Sequence, residues 1–116
     1  MNTKQILKVA RANKNGFTAN LNGDLINMQK GYAVSITNNN GTDLKQLVKN
    51  LDRAEPVINR AVKNLFVGGW RNEAKVFFLD FSLILNSRSE AVAIAKQFNQ
   101  EAIFNFKDKS SIAISR

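Results

Sequence analysis

The chain contains no cysteine and no histidine among its 116 residues. The absence of cysteine excludes disulfide bonds, thiolate chemistry and cysteine-based metal sites. The absence of histidine removes the most common general base and the most common metal ligand. Only nine acidic residues are present, and they are scattered along the sequence. We therefore expect a protein that is not an enzyme and that holds neither a metal ion nor a cofactor.

Long apolar runs are scarce as well. The longest one, residues 76–85, is interrupted by Asp80 and Ser82 and is too short to span a bilayer. Residues 1–16 contain no apolar core of the length that a secretory signal needs. These features predict a soluble, cytoplasmic protein that makes no contact with a membrane.

Positive charge is in clear excess, because 17 Lys and Arg face 9 Asp and Glu, which gives a formal net charge of +8. Such an excess favours a polyanionic partner such as nucleic acid, although lysine-rich surfaces also keep small proteins in solution. Hydrophobic residues make up 44% of the chain, which is typical of a folded globule and not of a disordered tail. The length predicts one domain over residues 1–116.

The spacing of apolar residues predicts helices in three regions. Residues 3–13 form the first helix. Residues 43–65 form the second, and Pro56, the only proline, should kink or split it. The third helix opens at residues 87–90, where a serine and a glutamate are spaced as a capping box.

Other segments have the period of two that is typical of strands. The strongest, residues 75–85, is apolar on both faces and should be central in its sheet. Hairpin connections dominate, and the order α-βββ-α(α)-ββ-α-ββ predicts an α+β domain with an antiparallel or mixed sheet backed by helices. The predicted strands cover residues 17–21, 25–28, 31–37, 66–70, 75–85, 102–106 and 111–114.

Basic residues recur at helical spacing on the first two predicted helices. Steps of three and four place them on one side of each helix, where they could follow a phosphate backbone. The simpler interpretation is a solvated face, since every amphipathic helix has one, although residues 1–23 contain no acid. The candidate binding residues on these segments are Lys4, Lys8, Arg11, Lys14, Lys45, Lys49 and Arg53.

The segment Gly68-Gly69-Trp70-Arg71 adds Trp70 and Arg71 as candidate contact residues. An exposed tryptophan beside an arginine would offer a stacking surface for a base. Because tryptophan usually buries most of its surface, we favour the alternative, a kinked strand with Trp70 packed at the edge of the core. A phosphate-binding loop is excluded, since the required lysine and the following helix are missing.

Asp80 lies inside the strongest predicted strand, where a half-buried acid could act as a general base or pair with a cation. No histidine, cysteine or second acid at a defined spacing accompanies it, so a catalytic site lacks its other half. Ser82 shares the same face of the strand and could share a hydrogen bond with Asp80. A small hydrolase built around Asp80 is therefore the hypothesis that we rank last.

Five segments form a recognisable pattern: 31–37 (GYAVSIT), 68–70 (GGW), 77–82 (FFLDFS), 87–97 and 99–104 (NQEAIF). Together they resemble a loosely defined group of small accessory proteins of phages, plasmids and conjugative elements of low-GC Gram-positive bacteria. That group has no agreed activity, so the resemblance supplies no catalytic residues. It implies the context of a mobile genetic element, whose accessory genes commonly encode DNA-handling helpers, regulators or inhibitors of host defence.

Charge, helical spacing and resemblance lead to one functional prediction. We expect a non-enzymatic accessory protein in the cytoplasm of a bacterial host cell that binds DNA, RNA or a host nucleoprotein complex through basic helical faces. The alternative is a protein-binding inhibitor of a host defence nuclease, similar to an anti-CRISPR protein. An exposed sheet edge could also pair two copies into a homodimer.

Overall fold

The computed structural model describes residues 1–115 of the chain. These residues form three helices and seven strands, and the elements alternate in an order close to the predicted one. In chain order they are α1 (Thr3–Ala12), β1 (Phe17–Ala19), β2 (Tyr32–Ser35), β3 (Asn40–Gly41), α2 (Leu44–Ala61), β4 (Phe66–Arg71), β5 (Phe77–Leu85), α3 (Arg88–Gln97), β6 (Ala102–Asn105) and β7 (Ser110–Ala113).

The strands belong to a single antiparallel sheet. Their order across the sheet is β1-β4-β5-β2-β6-β7, and the two-residue β3 pairs with the start of β5. β5 is the longest strand and lies inside the sheet, as expected. The expected α+β fold with a sheet backed by helices is therefore confirmed.

One face of this sheet carries all three helices. Along β5, Leu79 and Phe81 point to that face and are buried in a core shared with α1 and α2. Beside this core, Ala91 and Ala95 of α3 pack against buried side chains of β2 and β6. The small alanine side chains let α3 lie close to the sheet. Within residues 1–115, the opposite face has no helix over it, and we call it the open sheet face.

Each helix begins at a polar residue that caps its free backbone amides. The side-chain oxygens of Asn2, Asp43 and Ser87 each accept a hydrogen bond from the amide three residues further on, over 3.1–3.3 Å. A bond of this kind stabilises a helix by about 1 kcal/mol. The helix starts are therefore fixed locally, which is why the sequence predicts them well.

The predicted strand over residues 25–28 does not form. Leu25 makes only an isolated bridge to Ala19, and the amide of Ile26 donates to the carbonyl oxygen of Thr18 over 2.8 Å. In this antiparallel register Ile26 lies opposite Thr18 and the next residue lies opposite Phe17, where β1 begins, so the chain beyond has no strand edge to continue along. The chain instead continues without a regular strand to β2, which is three places away from β1 in the sheet order.

Of the two outcomes expected at Pro56, a kink or a split, the split does not occur, since α2 runs from Leu44 to Ala61. Proline lacks the amide that would bond to the carbonyl of Asp52. Asp52 and Pro56 are both exposed, so water can satisfy that carbonyl. Buried leucine and valine side chains in the first half of α2 hold the helix on the sheet.

Asn39 is a buried polar residue that joins α2 to β5. Its Nδ2 donates to the carbonyl oxygens of Leu47, at 2.9 Å, and Leu79, at 2.7 Å. Its Oδ1 accepts a hydrogen bond from Asn50 of α2 over 3.1 Å. The sequence predicts only a loop here, because the role of Asn39 depends on partners far away in the chain.

Candidate functional site

The basic residues of α1 lie on its outer side. Lys4, Lys8 and Arg11 are exposed, whereas Ile6 and Val9 on the opposite side of the helix are buried. None of the three cations forms an ion pair with another described residue. They therefore present one row of uncompensated positive charge.

The basic residues of α2 form a second row, antiparallel to the first. The direction follows from two contacts: the amino group of Met1 lies 3.8 Å from Glu55, and Ala10 shares a small cleft with Leu44. Packed helices are about 8–10 Å apart, so the two rows run side by side. The cations of the second row, all exposed, are Lys45, Lys49 and Arg53.

Lys14 continues the first row toward the sheet. It lies in the turn after α1, and its carbonyl oxygen accepts a hydrogen bond from the Arg71 amide over 3.0 Å. We call Lys14 and the two rows the basic helix surface: Lys4, Lys8, Arg11, Lys14, Lys45, Lys49 and Arg53.

Trp70 and Arg71 do not form the joint platform that their sequence proximity indicated, because successive residues of a strand point to opposite faces. Arg71 lies on the helix side, where its guanidinium is 5.9 Å from the centre of the Phe77 ring. Trp70 lies on the open sheet face and stacks on Phe78, with ring centres 4.9 Å apart and planes inclined by 12°.

The expectation that Trp70 packs at the edge of the core is wrong. Half of its surface (50%) is exposed. The two preceding glycines do have packing reasons, however. The Phe17 ring occupies the place where a Cβ atom of Gly69 would be, and Gly68 lies against the Ser82 hydroxyl.

A groove of about 680 Å³ runs along the open sheet face. It exists because the strand residues at its floor are small, whereas aromatic side chains stand at its two ends. Residues 26–28, which were expected to be a strand, form part of its lining. The floor consists of Thr18, Ala33, Ser35, Gly68, Asp80 and Ser82. The ends are Trp70 with Phe78 and Phe104 with Phe106.

Asp80 lies in the floor of the groove and is held from one side. Its Oδ1 accepts hydrogen bonds from the Thr37 hydroxyl and the Asn39 amide, both over 2.8 Å. These donors, and not Ser82, fix the carboxyl group. No cation pairs with it among the described residues. Burial raises the pKa of Asp80 above its ordinary value, and the two hydrogen bonds offset part of that rise.

The groove itself is absent from the sequence-based prediction. Its signal is present in β5, where Asp80 and Ser82 alternate with buried Leu79 and Phe81. Small polar residues on the second face of a central strand indicate a face without a helix over it. What the sequence cannot show is that Ala33, Ser35 and Gly68 of other strands meet these residues.

Comparison with protein-family models, with curated proteins and with solved structures finds no match for this chain. The resemblance to accessory proteins of mobile elements therefore stays a prediction. Among the described helices, none combines the length and the apolar character needed to cross a bilayer. No three acidic side chains of residues 1–115 come together in a group that could hold a metal ion.

Proposed function

We propose that this protein is a non-enzymatic nucleic-acid-binding protein that meets its ligand through the basic helix surface. The observation that carries the proposal is the side-by-side arrangement of two exposed cation rows, none of whose side chains forms an ion pair in the described chain. The only ion pair of residues 1–115 joins Glu55 to the amino group of Met1, so no cation of the basic helix surface takes part in it.

Such a surface suits phosphates better than base edges. Lysine and arginine side chains on helix exteriors release counterions from nucleic acid when they bind, whatever its sequence. Base-specific reading of a duplex would need an element that enters a groove, and α1 and α2 lie flat on the sheet. We therefore propose sequence-independent binding with a strong dependence on salt.

The test is a fluorescence-anisotropy titration with short labelled DNA and RNA oligonucleotides at several salt concentrations. The variant Lys4→Glu with Lys8→Glu should bind roughly tenfold more weakly at low salt. It should also reduce the slope of log affinity against log salt by about 2, one unit for each lost phosphate contact.

The matched control is Arg88→Glu with Lys96→Glu, which makes the same change in net charge at exposed positions of α3. A general effect of net charge would weaken both variants equally and would contradict a defined surface. Binding by the wild type that does not change between low and moderate salt would contradict the whole proposal.

One observation favours a second candidate, a protein-binding inhibitor of a host defence nuclease. Val57 is 67% exposed on α2, between Arg53 and Arg60. An apolar side chain among cations suits an acidic protein surface better than a phosphate backbone. In a cleavage assay with a Cas effector, undiminished activity in the presence of the protein would remove this candidate for that nuclease.

The biological context that we propose is a phage or another mobile genetic element in the cytoplasm of a bacterial host. Its support is the sequence resemblance of residues 68–70, 77–82 and 99–104, together with the positive charge. A pull-down from host lysate, with and without nuclease treatment, distinguishes a nucleic-acid ligand from a protein ligand. Capture of host proteins that survives nuclease treatment would favour the inhibitor over the nucleic-acid-binding protein.

A further inference from the structure

The basic helix surface leaves the groove on the open sheet face without a role. A sheet face that only awaited a covering element would carry large aliphatic side chains, as the helix side of β5 does. The groove floor instead carries hydroxyls, a carboxylate and small residues, between aromatic ends. This composition is that of a binding site for an extended, partly polar ligand.

The dimensions of the groove also indicate an extended ligand. Its aromatic ends are Trp70 on β4 and Phe104 on β6. Across the sheet, the two residues are three strand spacings apart. Along the strand direction, the pairing registers place them opposite positions of β5 that are six residues apart. These steps correspond to roughly 14 Å and roughly 20 Å. A compact metabolite would not contact both ends at once.

Trp70 offers a flat surface at one end. One side of its ring is stacked on Phe78, which fixes its orientation, while half of the residue remains exposed. At the other end Phe104 is 36% exposed and rests edge-to-face on Phe106, with ring centres 5.4 Å apart. Fixed, exposed aromatic rings are the feature on which unpaired bases stack.

Charge around the groove suits a phosphate backbone at both ends. Lys14 directly precedes Asn15, which lines the groove, and its carbonyl oxygen accepts a hydrogen bond from the amide of Arg71, the residue after Trp70. Lys109 lines the groove beyond Phe104. Lys14 also belongs to the basic helix surface, so that surface and the groove meet at the Trp70 end. A nucleic-acid strand bound to the cations of α1 could therefore continue into the groove while its phosphates stay close to positively charged side chains.

The floor provides acceptors for the polar edges of bases. Asp80 is fixed by Thr37 and Asn39, and no cation of the described chain neutralises it. A carboxylate accepts hydrogen bonds from the exocyclic amino groups of bases, as in contacts to cytosine. The hydroxyls of Ser35 and Ser82 lie on the same face of neighbouring strands.

We propose that the groove on the open sheet face binds an unpaired segment of nucleic acid, with one base stacked on Trp70, so that the protein prefers single strands over duplexes. This inference rests on the proposed nucleic-acid-binding function and assigns a second surface to the same ligand. The bases must be unpaired because their faces cannot reach Trp70 while they are stacked in a duplex. A second copy of the chain fits less well, since each copy carries a net charge of +8.

Trp70 is the only tryptophan, so its fluorescence reports directly on the groove. We expect a short single-stranded oligonucleotide to quench this fluorescence, and a duplex of the same sequence to bind with little quenching. In the anisotropy titration, Trp70→Ala and Phe104→Ser should each weaken single-strand binding by roughly tenfold, the effect of losing one stacked base. Duplex binding should change less than threefold.

The matched control is Val57→Ser, which removes an exposed apolar side chain on the helix side and should leave single-strand affinity unchanged. Thermal unfolding checks each variant, and Trp70→Phe should retain most of the affinity because it keeps a ring on Phe78. Absence of binding to any oligonucleotide would overturn both the proposed function and this inference.

Salt-dependent binding with unchanged Trp70 fluorescence, and with wild-type affinity in Trp70→Ala and Phe104→Ser, would overturn the inference alone. Equal affinity for single strands and duplexes would do the same. The pull-down from host lysate tests for a host protein that the wild type captures and that remains bound after nuclease treatment. If Trp70→Ala failed to capture that protein while its oligonucleotide affinity stayed unchanged, the groove would be assigned to a protein ligand and the inference would be overturned.

Discussion

The two faces of the sheet differ although they are made by the same strands. On the helix side, Leu79 and Phe81 of β5 are buried in a core that α1 and α2 close. On the open side, Asp80 and Ser82 of the same strand form the floor of a groove. The period of two in a strand thus separates residues that stabilise the fold from residues that are available for binding.

This difference teaches where each property of the protein is located. Burial of apolar area contributes most of the stability, and that burial is on the helix side. The outer surface of the helices is basic, while the open face is aromatic at its ends and polar at its centre. Substitutions on the two faces should therefore separate a loss of stability from a loss of binding.

The largest effect is expected for Asn39→Ala, which removes the buried link between the two layers. The carbonyl oxygens of Leu47 and Leu79 would each lose a donor, and the vacated space would stay buried. The Leu47 carbonyl keeps its hydrogen bond within α2, so the Leu79 carbonyl is the group left unsatisfied. One such group costs about 1–3 kcal/mol, and the free energy of unfolding should fall by that amount. Urea unfolding followed by circular dichroism measures it.

The matched control is Asn40→Ala, at the next residue, whose side chain is exposed. Its free energy of unfolding should change by no more than about 0.5 kcal/mol. If Asn39→Ala were equally mild, the layers would be held by apolar burial alone, and the hydrogen bonds of Asn39 would not be needed.

The next largest effect is expected for Ser35→Leu, a substitution on the open sheet face. Ser35 lies in the groove floor opposite Ser82, so a leucine would fill the centre of the groove without entering the core. Affinity for single-stranded oligonucleotides should fall roughly tenfold, the scale of one lost base contact. The unfolding temperature should stay within a few degrees of the wild type.

For Ser35→Leu the control is Ala93→Leu, which adds the same bulk at an exposed position of α3. It should bind oligonucleotides like the wild type. Wild-type affinity in Ser35→Leu would mean that the ligand never enters the groove, and the comparison of the two faces would then concern stability only.

The fold could be predicted from the sequence where local chemistry decides it. The caps at Asn2, Asp43 and Ser87 and the apolar alternation of β5 need no distant partner. The strand at 25–28 could not be judged in this way, because its formation depends on how far β1 extends. Local propensity is overridden wherever the pairing partner is missing.

The candidate site likewise has one part that could be predicted from local sequence and one part that could not. Helical spacing placed the cations of α1 and α2 on outer surfaces, since that spacing is a local property. The groove is lined by residues from six strands, so its floor follows from strand order and register. Trp70 was misjudged because tryptophan is usually buried, whereas here the face that it occupies has no helix to cover it.

The smallest effect is expected for Asp80→Asn, which tests whether the groove floor carries a cost in stability. Burial raises the pKa of Asp80, so the folded state binds more protons than the unfolded state between the ordinary aspartate pKa, about 3.9, and the raised value. Across that window the wild type should lose stability relative to Asp80→Asn as the pH rises.

Asparagine keeps an oxygen that can accept from Thr37 and Asn39, so the variant should remain folded. Urea unfolding of both proteins from pH 3 to pH 8 measures the difference. The opposite slope would mean that the hydrogen bonds outweigh burial, and that the open face holds a stably charged carboxylate.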